Sequence, residues 1–324
     1  MNDQLQKNLI AIIREKIPQG ENIATYLADK LLLGRESVYR RLRGEIHFTF
    51  DEIATLSLAL GFSVDNIIGT KKGENALFNI HMLQSSNCLD IYKNKMLEYG
   101  QMFQNMKDNP DSKAHVSINS LPYYFHINYE NLSRFRIYKW LHQNQKIGVN
   151  NKFSGFKLPV DILETHKTFY QDIQKIPNVT IIMDNNIFWS AAKDIEYFYK
   201  RGLLSEEELE VLRAELFSIV DMLEELATKG FSRSGTKVSI YYSSVDLEAS
   251  YLHFESEDWH FAQVRVFSIS AIDSYDERLC SIQKKWIESL KKYSVLISGS
   301  GEIQRFEYLN KQRRYINKIP NLDS

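Results

Sequence analysis

The chain has 324 residues, 44% of them apolar and 25% charged, and a formal net charge of -1. It is longer than one typical domain and rich enough in apolar residues for a sizeable core, so two domains are expected. Its balance excludes a globally basic nucleic-acid binder and a low-hydrophobicity disordered chain, and only two cysteines, Cys88 and Cys280, exclude a disulfide scaffold.

Met1 to Asn8 is polar and runs straight into an amphipathic pattern, not a signal-peptide apolar run, and no apolar stretch approaches the roughly 20 residues that span a bilayer. A cytoplasmic protein with no membrane partner is expected. Asn2 or Asp3 caps a first helix with Leu5, Leu9, Ile10, Ile12 and Ile13 at helical spacing, ending near Pro18 and Gly20. Asn22 caps a second, with Leu27, Ala28 and Leu31 on one face and Leu33 in the turn that follows. A third, residues 35–43, has Val38 and Leu42 as its apolar stripe and Arg35, Glu36, Tyr39, Arg40 and Arg43 opposite, a face that suits a DNA major groove. Gly44 stops it. Thr49 with Glu52 forms a capping box for a fourth helix carrying Ile53, Leu56 and Leu60 as far as Gly61, and Ser63 opens a fifth turn with Val64, Ile67 and Ile68. Over residues 1–70 eight basic residues meet nine acids, yet between Arg35 and Arg43 there are four arginines and one acid, so the positive field is local.

Residues 20–69, through Ala28, Val38, Gly44 and the two amphipathic segments from Phe50 to Ile68, resemble the lambda-repressor and Cro type of helix-turn-helix domain. The run Ser37-Val38-Tyr39-Arg40-Arg41-Leu42-Arg43-Gly44-Glu45 is similar to one bacterial subset of that family. The resemblance covers about a sixth of the chain and implies an all-α, five-helix domain that binds double-stranded DNA as a homodimer. It places base reading on Arg35, Glu36 and Arg40, flanking contacts on Ser37 and Tyr39, and a phosphate contact on Arg43. Leu32 stands where the family has a turn glycine, Gly34 where it has a capping Ser or Thr, and Arg41 where an apolar residue is common.

The polar, glycine-flanked stretch 70–75 reads as a linker between a DNA-binding domain over 1–69 and a second domain over 76–324. That second part reads as α+β with several helices and a small antiparallel sheet. Leu89–Met106 is a helix, Ala114, Val116 and Ile118 alternate as a strand, Pro122–Leu141 is an aromatic helix, and Pro159 opens another. Val179–Met183 is a short apolar run, and Ile187–Lys200 with Glu206–Lys229 forms a helical hairpin whose second capping box is Ser205/Glu208. Segments 238–242, 251–255 and 261–267 alternate at period two as a meander, followed by a helix over 274–292, a strand over 295–298 and a basic helix over 302–318.

Leu209, Leu212, Leu216, Ile219, Leu223 and Leu226 form a seam open to dimer contact or to internal packing, with Val211, Phe217 and Val220 favouring burial. Ser298-Gly299-Ser300-Gly301 reads as an ordinary strand-to-helix turn in preference to an anion cradle, Lys311, Arg313, Arg314 and Lys318 as a solvated face, and His253 with His260 as cross-strand packing in preference to a metal site. The aromatic content of the second domain, including Trp140, Trp189, Trp259 and Trp286, leaves room for a small-molecule effector. No nucleophile motif, metal cluster or phosphate loop is evident, so neither a catalytic role, a metal nor a cofactor is expected. The expected function is a DNA-binding transcriptional regulator whose domain over 76–324 dimerises it, senses an effector, or both; the competing reading is an enzyme of unknown reaction in 76–324, recruited to DNA or a protein partner by the N-terminal domain.

Overall fold

The computed structural model describes residues 2–18, 20–62, 64, 76, 78–81, 87–257, 259–266 and 269–321. The chain divides into two compact units, Met1–Leu77 and Phe78–Ser324. No helix among the described residues is long and apolar enough to cross a membrane.

In the first unit, α1 (Asn2–Lys16), α2 (Ile23–Leu31), α3 (Arg35–Leu42) and α4 (Phe50–Leu60) surround a core of Leu9, Ile13, Ala24, Leu27, Val38, Phe48, Leu56 and Phe62. The local signals act as capping chemistry requires. Asn22 Oδ1 accepts from the Ala24 and Thr25 amides at 3.0 and 3.2 Å, and Thr49 and Glu52 close a capping box at the start of α4. Gly61 ends α4 in the left-handed conformation, φ 68°, which glycine adopts without steric cost. The expected five-helix domain requires correction: four helices are described here, and the fifth turn expected over 63–68 lies, apart from Val64, outside the described residues, as does the linker over 70–75.

The second unit is built on one eight-stranded sheet, comprising β1 (Asn79–His81), β2 (Lys113–Ile118), β3 (Asn178–Met183), β4 (Lys237–Ser243), β5 (Tyr251–Ser256), β6 (Trp259–Val266), β7 (Ser270–Ser274) and β8 (Ser294–Leu296), in the order β1-β7-β6-β5-β2-β3-β4-β8. β2, β3 and β4 are mutually parallel and every other pairing is antiparallel. This overturns the small antiparallel sheet expected from sequence. Of the three alternating segments expected to form a meander, 251–255 and 261–267 pair as β5 and β6, but their third strand is β7 and not 238–242, which as β4 joins β3 in parallel and β8 antiparallel; parallel pairing spans long crossovers and leaves no local trace.

The helices of this unit are α5 (Cys88–Met106), α6 (Tyr123–His126), α7 (Glu130–Gln143), α8 (Val160–Ile173), α9 (Ile187–Lys200), α10 (Glu206–Lys229), α11 (Glu277–Leu290) and α12 (Glu302–Asn317). From β2 to β3 and from β3 to β4 the chain steps in the same direction across the sheet, and right-handed crossovers then put both sets of helices on one face. The cores agree. Ile181, Met183, Val238 and Ile240 share a cluster with α7, α9, α10 and α12, while Ala114, Phe254 and Phe261 on the same face pack with α5 and α8. On the opposite face lies α11, whose Ile287 and Leu290 meet Ile182 of β3.

Two details tie this core together. The helix expected over Pro122–Leu141 is broken between His126 and Glu130, and α7 begins without a capping side chain of its own. Glu215 of α10 serves instead, accepting from the Asn131 and Leu132 amides at 3.2 and 2.7 Å, where a carboxylate also complements the helix dipole. Below α7, His166 of α8 is buried with Ser133 Oγ 2.9 Å from Nδ1 and the Tyr92 hydroxyl 3.0 Å from Nε2.

Burial pushes the His166 imidazole down to about 4, and burial together with the charges of Arg136 and Arg265 holds His126 well below its ordinary value. Both are therefore neutral in the folded unit at pH 7. Below about pH 6.5 the unfolded chain takes up a proton at each histidine and the folded chain does not, so stability present above that pH is lost on acidification. For His166 alone the loss should reach roughly 3 kcal/mol by pH 4. The thermal midpoint of the Phe78–Ser324 unit should fall between pH 7 and pH 4.5 and fall less in His166→Gln; equal midpoints at the two pH values would contradict this account.

Candidate nucleic-acid interface

The turn between α2 and α3 is held in a way the sequence made uncertain. Leu32 takes the left-handed conformation that glycine adopts most easily, φ 53° and ψ 41°, and its backbone N–H donates to the Ala28 carbonyl. A side chain there costs about 1–2 kcal/mol, and with 91% of Leu32 exposed no packing offsets it. Gly34 is extended and caps α3 without a side-chain bond, so the first amides of α3 receive nothing from it.

Val38 is fully buried and Leu42 part-buried against the α2 and α4 core, which fixes the rotation of α3. That rotation leaves Arg35, Glu36, Tyr39, Arg40 and Arg43 exposed and Ser37 part-buried. Arg41, at the position where an apolar residue is common, points inward. Its Nε and Nη2 reach Glu52 Oε2 and Oε1 at 2.9 and 2.7 Å, its Nη1 donates to the Ser37 carbonyl, and the two charged side chains are only 11% and 14% exposed. A bidentate pair sheltered from water substitutes for the missing apolar contact and joins α3 to α4. Gln6 of α1 adds a brace, donating to the Ile46 carbonyl at 3.2 Å beyond the end of α3.

The outward arginines are less free than their exposure suggests. Arg43 Nε lies 2.6 Å from Glu45 Oε1 and its Nη2 3.3 Å from Glu36, while Arg40 Nε is 3.4 Å from Glu45 Oε2. The hydrogen bond donated by Arg43 depresses the Glu45 carboxyl, and its bonds to Glu45 and Glu36 raise the Arg43 guanidinium. Exposed pairs of this kind are weak and salt-screened, so a phosphate can displace the carboxylate. Arg35 makes no ion pair with any described residue. Glu45, which pairs with both Arg40 and Arg43, was not singled out in the sequence; the order Arg-Leu-Arg-Gly-Glu, with a turn glycine folding the acid back on the helix, was the available signal.

Other candidates resolve differently. Leu209, Leu212, Leu216, Ile219 and Leu223 are buried inside the second unit, so the leucine seam is consumed by internal packing. Gly299 donates its amide to Ala227 O and the Ser298 hydroxyl accepts from Ile240, which commits those groups of the Ser298–Gly301 turn to the fold. Arg313 pairs with Asp221 and Glu224. His253, Glu255 and His260 bring three donor atoms within 4.8 Å of one another among the described residues. Burial opposes the Glu255 charge, but bonds from His115, His253 and Lys284 hold its carboxyl low, and Lys284 Nζ at 2.6 and 2.9 Å already supplies a cation to both its oxygens. The His253 and His260 rings stack at 5.8 Å. Cys88 and Cys280 are both buried.

No family model matches the chain, and no curated protein or solved structure does so either.

Two substitutions test the scaffold under this face. Leu32→Gly should stabilise the first unit by up to ~1 kcal/mol by relieving the left-handed backbone, read as a higher denaturation midpoint. Arg41→Ala should destabilise it by roughly 2–3 kcal/mol, because the sheltered Glu52 would lose its cation and keep only the Thr49 amide; an unchanged midpoint would remove the Arg41–Glu52 pair from the account.

Proposed function

We propose that the chain is a sequence-specific DNA-binding transcriptional regulator that reads the major groove with α3, in the manner of the lambda-repressor and Cro type helix-turn-helix proteins that α2 and α3 resemble. The observation that carries this reading is the division of α3 into two faces: Val38, Leu42 and Arg41 commit one to the scaffold, while Arg35, Glu36, Tyr39, Arg40 and Arg43 project from the other.

In this mechanism Arg35 and Arg40 supply paired donors for guanine O6 and N7, and Glu36 accepts from a cytosine amino group while repelling misplaced phosphate. Ser37 and Tyr39 flank these contacts. Arg43 exchanges Glu45 for a phosphate oxygen, so the acid sets a threshold: weak non-specific contacts do not displace it, whereas a well-docked backbone does. The second unit serves as the dimerising and sensing part, bringing two copies of α3 onto half-sites about 34 Å apart. An effector then acts by changing how well two copies fit that spacing.

The test is selection of bound duplexes from a random pool by the full-length protein, followed by titration at several salt concentrations. A defined, two-fold-related site is expected, with affinity falling steeply as salt rises. Arg40→Ala should weaken the preferred site by ~1–3 kcal/mol and relax its sequence at one position. Glu45→Gln should tighten binding to all duplexes alike, by freeing Arg43 and removing a like charge from the phosphates. Selection that enriches no sequence, with Arg40→Ala binding as well as the parent, would defeat the proposal.

A further inference from the structure

The thick face of the sheet is not completely filled. Between β2, β5 and β6 and the overlying α5 and α8 lies a cavity of about 230 Å³, walled by apolar groups such as Met96, Phe103, Phe169, Val116, Leu252 and Phe254. Among the described residues none of the four tryptophans lines it and neither does any carboxylate; the charged residues there are Lys95, Arg136 and Arg265. Lys95 is taken by Glu98 at 2.6 Å.

The two arginines are different. Both also line a second, more polar cavity of about 310 Å³, beside Asn119, Ser120, His126, Lys139 and Asp194. The three residues after β2 hold them together: Arg265 Nη2 donates to Asn119 Oδ1 and to the Ser120 hydroxyl, and Arg136 Nη1 to the Leu121 carbonyl at 3.5 Å. Arg265 also donates to Ser250 Oγ at 3.0 Å, Arg136 Nη1 lies 3.4 Å from His126 Nε2, and the Arg136 guanidinium sits over the Tyr123 ring at 5.3 Å. Every one of these partners is neutral. Buried Arg136 Nε has no partner among the described residues, and Asp194, the acid on the second cavity, is bonded by Lys139. Burial first, and then the charge of Arg136, push Arg265 below the ordinary guanidinium range, yet a guanidinium stays cationic in a protein. Two adjacent, part-buried guanidiniums thus have only neutral hydrogen-bond partners, with Asp194 acting on Arg136 through its charge alone, an arrangement that favours an anion able to complete it.

We propose that this unit binds an amphipathic organic anion, its acidic headgroup between Arg136 and Arg265 and its alkyl or aryl tail in the apolar cavity against the sheet. The paired guanidiniums supply fork-shaped donors that suit a carboxylate or a phosphate monoester. The cavity, apolar with a few convergent polar groups at one end, has the composition of a small-molecule site. Such binding stands or falls independently of whether α3 touches DNA.

The experiment uses the full chain and four ten-carbon probes, decanoate, decyl phosphate, decanol and decylamine, followed by calorimetry and thermal unfolding. At least one anion is expected to saturate at one site per chain and to raise the unfolding midpoint, with decanol at least tenfold weaker and decylamine not bound; whichever anion binds tighter assigns the headgroup. Arg265→Met should weaken the anion at least tenfold while leaving the ligand-free midpoint unchanged or higher, since a like charge has been removed. Val116→Trp should abolish binding by filling the tail space with both arginines in place. Decanol binding as tightly as the anions, no saturable anion binding, or Arg265→Met lowering the ligand-free midpoint without changing anion affinity would overturn the proposal, and the headgroup series decides even if a variant fails to fold.

Discussion

The second unit is governed by a rule of handedness. Three parallel strands laid down in one direction, β2 to β3 to β4, force successive crossovers onto the same side of the sheet, so α7, α9 and α10 accumulate there with α5, α8 and α12. The other face carries α11. A face so heavily loaded must reconcile helices of different lengths and tilts over one twisted surface, and the apolar cavity above Val116 and Leu252 is where they do not close completely. The same crowding lets Glu215 of α10 reach the bare start of α7, a contact between elements more than eighty residues apart in sequence. Local imperfection in one helix is thereby corrected by a neighbour that the topology guarantees will be there.

Arginine is used in three electrostatic settings in this molecule, and the differences among them carry its chemistry. Arg41 is sheltered and paired by two short bonds to Glu52, so it acts as structure. Arg40 and Arg43 lie at the surface beside Glu45, in pairs weak enough to be exchanged. Arg136 and Arg265 are part-buried and hydrogen-bonded only to neutral partners. Coulomb energy grows as the surrounding polarisability falls, so the same side chain passes from exchangeable to fixed to demanding as it moves inward.

What could be read in the sequence was what is decided locally. The capping boxes at Thr49/Glu52 and Ser205/Glu208 mark the starts of α4 and α10, because each is closed by residues three apart. The parallel sheet was not readable: β2 and β3 pair Lys113 with Asn178 across three intervening helices, and β1 is three residues long, too short for any periodicity. The break at His126 was hidden because its remedy, Glu215, is remote. On the candidate interface, the outward set on α3 follows from the Val38 and Leu42 stripe, whereas the inward turn of Arg41 depends on where α4 places Glu52. Arg265 was within reach, since the alternation Phe261, Gln263, Arg265 puts an arginine on the face that buries phenylalanine. Its significance needed Arg136, which arrives from a different helix.

One carboxylate in the first unit has two obligations. Glu52 Oε2 accepts from the Thr49 amide that starts α4 and also from Arg41 Nε of α3, so a single side chain bolts the arginine-bearing cylinder to the beginning of the next one. The pitch of α3 therefore cannot be adjusted by itself. Any signal that re-aims those guanidinium tips must either carry α4 along as part of the same rigid wedge or unfasten its first turn.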